Sequence, residues 1–149
     1  MTRGLVRVLA VLLAIGQPAP AFAYLKFGFR VGDQTVDVKW PNGPVRYFVN
    51  ERDIPGVSAS DLQAAVRRAA ATWQAVPGTR LTFDFQGLTS APPTGLDGRN
   101  TLGFLDRPDL DRVLGATSLL LDSATGALVE ADIFFNTRFR VGLAGRHRR

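Results

Sequence analysis

The chain has 149 residues, 46% of them hydrophobic, and no cysteine, so it is sized for one domain held together by packing. Disulfide scaffolds, thiolate metal sites and cysteine nucleophiles are excluded. The net charge of +5 and pI near 10.7 suggest an anionic partner, but the charge lies at the ends. Without Arg3, Arg7, Arg138, Arg140, Arg146, Arg148 and Arg149, eleven basic residues face thirteen acidic ones, a net of −2. The body is therefore no phosphate-tracking surface, and no specific nucleic-acid partner is expected.

Arg3 and Arg7 precede an apolar run from Val8 to Ile15, then Gly16, Pro18 and Pro20, then Ala21-Phe22-Ala23. Basic, apolar and small residues in that order predict a secretory signal over residues 1–23, cut before Tyr24. The apolar run falls well short of the roughly 20 residues that span a bilayer. A secreted protein, extracellular or periplasmic, without a membrane span after cleavage is the expectation. Residues 24–136 then form the domain, and 137–149 a basic, disordered tail.

Tyr24 to Arg30 alternates weakly, and Thr35-Val36-Asp37-Val38-Lys39-Trp40 alternates well, with Val36, Val38 and Trp40 on one face. Pro41-Asn42-Gly43-Pro44 is a turn cluster, and Val45-Arg46-Tyr47-Phe48-Val49 reads as the first strand of the main sheet. Ser58 is a good N-cap with Asp61 three residues on. Leu62, Ala65, Val66, Ala69, Trp73 and Val76 form one helical stripe, which Pro77-Gly78 ends. Trp73 is expected to anchor the core.

Strands are predicted at Arg80 to Phe85, Thr101 to Leu105, Leu114 to Leu121 and Ala127 to Phe135, with a loop from Gly87 to Gly98. One helix among strands predicts an α+β fold, a mixed twisted β-sheet of about five strands with one long helix packed across it.

Several features in order resemble a matrixin-type domain of the metzincin metallopeptidases. They are Trp40 with Val45-Arg46-Tyr47, the Ser58 helix with Ala69 and Trp73, Leu81-Thr82-Phe83, and Asp97-Gly98-x-Asn100 with Phe104. Leu114-Gly115-Ala116-Thr117 and Gly126-x-x-x-x-Ala131-Asp132-Ile133-x-Phe135-Asn136 complete the set. The resemblance covers roughly residues 40 to 136 and implies the upper, sheet-bearing lobe of a zinc endopeptidase. It further implies an edge strand at Leu114, Gly115, Ala116 and Thr117 that pairs with an extended substrate backbone. An ordinary strand without a partner stands beside that reading. Asp97 and Asn100 are candidate calcium ligands, or simply a tight turn.

In that family a His-Glu-x-x-His helix follows and holds zinc; none follows Asn136 here. Catalytic zinc needs several neutral imidazoles, whereas the chain has one histidine, His147, between Arg146 and Arg148. Phe134 stands near where animal matrixins place a histidine of the structural zinc. No catalytic or metal residue is assigned. No serine elbow or phosphate loop is present either, and Asp106, Asp109 and Asp111 alternate with Arg107 and Arg112 as a self-neutralising loop. The expectation is a monomeric, secreted, metallopeptidase-like chain, truncated or frameshifted before the zinc site and inactive alone. The alternative is a non-catalytic module that binds peptide along a sheet edge.

Overall fold

A computed structural model describes residues 27–140; the expected signal and the last nine residues of the tail lie outside them. A hairpin leads in, β1 (Gly28–Val31) paired antiparallel with β2 (Gln34–Asp37). The main sheet follows from β3 (Val45–Asn50), β4 (Phe83–Thr89), β5 (Thr101–Leu105), β6 (Gly115–Leu121) and β7 (Leu128–Asn136), in the order β4-β3-β5-β7-β6. The first four in that order run parallel, and β6 alone is antiparallel, on β7. With helix α1 (Ala59–Gln74) between β3 and β4, this is the expected α+β fold.

Helix α1 begins where its sequence dictates. Asp61 N donates to Ser58 Oγ at 3.1 Å, and Ser58 N donates to Asp61 Oδ2 at 3.3 Å, a reciprocal capping box. Asp53 Oδ1 accepts from Ala59 N at 2.7 Å, so a second carboxylate answers the helix's free donors. The helix lies on β3 and β4. Tyr47, Val49, Val57, Leu62 and Phe104 form the buried centre, flanked by Ile54, Val66, Phe83, Phe85, Leu102 and Phe135. The Tyr47 ring sits 5.5 Å from Phe85 and 6.4 Å, edge-on, from Phe83.

Two expectations are corrected. The strand predicted at Arg80 to Phe85 is found at Phe83–Thr89, so its second half occupies what read as loop. Tyr47 pairs with Phe85 but Val49 with Leu88, so β4 carries one extra residue. Gly87, at φ +120°, absorbs that bulge and lets pairing resume. Second, Trp73 is no core anchor: it is 64% exposed. The stripe is buried at Leu62, half-buried at Ala65 and Val66, and exposed at Ala69, Trp73 and Val76. Periodicity marks an apolar face; it does not supply the layer that covers it.

The same side of the sheet is thinly covered farther along. By register, Leu102, Ile133 and Thr117 share α1's side, as do Phe104, Phe135 and Gly115. Leu119 and Val129, on that side of β6 and β7, are about half exposed.

Candidate functional site: the free edge of the sheet

Strand β6 closes one end of the sheet, and among the described residues it pairs only with β7. The register tells which backbone groups it leaves free. Gly115 lies opposite Phe135, and Asn136 N donates to Leu114 O at 2.8 Å, so Leu114 and Asn136 are a hydrogen-bonded pair. Antiparallel pairs alternate, so Ala116, Ser118 and Leu120 turn their N–H and C=O inward to β7. Gly115, Thr117 and Leu119 turn theirs outward. Of the four residues predicted for this edge, Gly115, Ala116 and Thr117 lie in β6, and Leu114 sits just before it, 67% exposed. Gly115 tolerates no side chain: a Cβ there would lie 2.6 Å from Phe134 O.

Asn136 sets the entry to this edge. It is fully buried, and its Nδ2 donates to Arg107 O, Leu110 O and Val113 O at 3.1, 2.9 and 3.0 Å. Its Oδ1 accepts from Arg107 N and Arg138 N, each at 3.2 Å. One amide thus gathers the whole 106–113 loop onto the end of β7. Within that loop Arg107 makes two bonds to Asp109, at 2.9 and 2.6 Å, which hold the Asp109 carboxyl below its usual range. Asp106, Asp109 and Asp111 are all exposed, as a solvated loop requires.

On the face opposite α1, Asp97 and Glu130 act electrostatically on Asp132, though the three carboxylates do not converge on a metal-sized site. Asp97 Oδ1 accepts from Arg99 N at 2.9 Å, a side chain closing its own turn. Asn100 donates to Arg46 O and accepts from Ala131 N, both at 2.7 Å, so both ends of its amide crosslink the sheet. Gly98 N donates to Glu130 Oε2 at 2.7 Å, and Thr101 N to Asp132 Oδ1 at 2.8 Å. Burial raises the Asp132 carboxyl above its ordinary range; the Thr101 bond opposes this, and the charges of Glu130 and Asp97 add to it. Glu130 and Asp132 are each 2% exposed. Two buried side-chain atoms lack any partner among the described residues, Thr101 Oγ1 and Glu130 Oε1.

Sequence reasoning did not single out Glu130. Its signal is its position two residues before Asp132, on the same face of a strand whose other residues are mostly apolar. A cavity of about 310 Å³ lies over this face, between the 94–96 loop and β6, and its lining includes Leu96, Arg107, Ser118, Leu120, Glu130 and Phe134. Arg107 lies 5.6 Å over the Phe134 ring at its side.

The residues present do not fit the zinc that the matrixin resemblance implies. Residues 27–140 contain no histidine, and among them no three metal-capable side chains converge. No step is therefore derived through zinc. No helix among the described residues is long and apolar enough to cross a membrane. No protein-family model, curated protein or solved structure matches the chain.

Proposed function

We propose that residues 27–140 are the peptide-holding lobe of a secreted, matrixin-type metallopeptidase domain, and that this lobe binds extended peptide at β6 without cutting it. The observation that carries the reading is the free edge itself. An otherwise parallel sheet ends in one antiparallel strand whose outward N–H and C=O groups at Gly115, Thr117 and Leu119 have no strand to pair with among the described residues. A peptide laid alongside adds a sixth strand, and its main-chain bonds provide affinity that is largely indifferent to sequence. The matrixin resemblance supports the same edge. The described residues offer no imidazole for a metal and no activated nucleophile, so they hold peptide and supply no hydrolytic chemistry.

Two proline substitutions on neighbouring residues test the edge. Thr117→Pro deletes an outward N–H and leaves the β7 ladder intact; Ser118→Pro deletes an inward one. The readout is fluorescence anisotropy of a labelled, blocked, extended hexapeptide. Thr117→Pro is expected to fold and lose at least tenfold in affinity, while Ser118→Pro unfolds. A folded Thr117→Pro variant that binds as well as the parent refutes the assignment, as does a parent chain that binds no peptide.

A further inference from the structure

The Glu130 carboxylate is the least explained group in the molecule. One oxygen is taken by Gly98 N, the other has no partner among the described residues, and the side chain lines the cavity beside β6. A desolvated carboxylate needs a counter-charge. Arg107, which lines the cavity, is already bonded twice to Asp109. The neighbouring Asp132, on the same face of β7, is itself a carboxyl and brings no counter-charge. The cavity therefore selects for positive charge, and its walls of Leu96, Leu120 and Phe134 select for an apolar stem beneath that charge.

The geometry of the edge says what delivers it. In β6, Ala116, Ser118 and Leu120 share a face with Phe134, Asp132 and Glu130, their partners across the ladder. A strand added to β6 places every second side chain on that same face. Two strand spacings, about 10 Å, then separate the added backbone from β7. Only a long side chain meets Glu130 across that gap.

We propose that β6 and the Glu130 cavity together form a receptor for an extended peptide carrying a lysine or arginine, whose charged end pairs with the Glu130 carboxylate. This rests on the reading of β6 as a peptide-binding edge and adds to it a preference for basic residues at one position. Both basic side chains have the required stem and charge; norleucine has the stem alone, and free butylamine has the charge without the backbone.

The test compares blocked hexapeptides of alanine, threonine and valine with one central residue varied among lysine, arginine, norleucine and glutamate. Binding to the full chain is measured by anisotropy, alongside the NMR shift of the Gly98 amide. The lysine or arginine peptide is expected to bind at least tenfold more tightly than the norleucine peptide. Glu130→Gln, which keeps an acceptor for Gly98 N, is expected to erase that ratio. If Glu130→Gln does not fold, Ser118→Arg serves instead: a fixed cation at the exposed mouth of the cavity should weaken the basic peptides more than the norleucine peptide and so shrink the ratio.

Equal binding of the lysine, arginine and norleucine peptides overturns the basic preference while leaving the edge reading standing. Absence of binding by every peptide ends both. Retention of the lysine preference in folded Glu130→Gln assigns it to another group and overturns the proposal. Calcium chloride alone shifting the Gly98 amide and displacing the lysine peptide also overturns it, by assigning the carboxylate to an inorganic cation.

Discussion

Replacing Asn136 with alanine probes how the edge is positioned. The substitution deletes five hydrogen bonds, three from Nδ2 to the carbonyls of Arg107, Leu110 and Val113 and two to Oδ1 from Arg107 N and Arg138 N. Two amide hydrogens serve three carbonyls, so the bonds are shared rather than independent. At about 1 kcal/mol net for each ordinary bond, with water replacing some partners in the half-open loop, the loss comes to about 3–4 kcal/mol. That is a large share of the 5–15 kcal/mol typical of one domain. With a urea slope of about 1.5 kcal/mol/M, the midpoint should fall by about 2 M in a two-state melt. Asn136→Asp separates hydrogen bonding from shape. Its carboxylate keeps the acceptor but faces three carbonyls, so the folded state favours the protonated form, and the variant should be least stable near neutrality and recover as pH falls. A midpoint shift below about 0.5 M for Asn136→Ala would refute the role of this amide in gathering the 106–113 loop.

Three further outcomes are expected. Burial raises the Asp132 carboxyl's affinity for its proton, so its contribution to stability is largest at low pH and is lost as pH rises from the usual carboxylate range through the folded value. Asp132→Asn keeps an acceptor for Thr101 N and should flatten the fall in stability as pH rises above the usual carboxylate range, read from urea midpoints; an unchanged slope would refute the burial argument. Trp73→Ser should change stability by no more than about 0.5 kcal/mol and lower the binding of an apolar dye; a loss above about 1.5 kcal/mol would mean that the ring is covered in solution. Gly126→Ala puts a Cβ 2.4 Å from Asp37 O at φ +71°, and should cost at least about 2 kcal/mol by thermal or urea melt.

The elements written by local rules were legible in the sequence. Ser58 and Asp61 cap α1 as their spacing demands, and the aromatic and β-branched content of Val45–Val49 and the turn before Ala127–Phe135 found two central strands. What depended on distant partners was not legible. The extension of β4 to Thr89 needs Val49 and Asn50 beside it and a glycine to bulge, and none of these is local to the strand. Trp73 lies in an apolar stripe whose cover no periodicity can report. The β1–β2 hairpin turns on Gly32-Asp33, a two-residue hairpin signal with Gly32 at φ +59°; the weak alternation of its short, mostly exposed strands hid it. At the candidate site, the edge residues came from the matrixin resemblance, while Glu130 emerged only once Gly98 was seen to occupy one of its two oxygens.

Strand β6 reads Gly-Ala-Thr-Ser-Leu-Leu-Leu, with no charge and no proline along its open side. Soluble proteins usually guard such borders with lysine, proline or a kink, because an unguarded one recruits any passing chain, including its own kind. Concentrated stocks of this protein should accordingly self-associate border to border, and a saturating dose of hexapeptide should keep the solution monodisperse. Light scattering during preparation thus doubles as an early, label-free readout of occupancy.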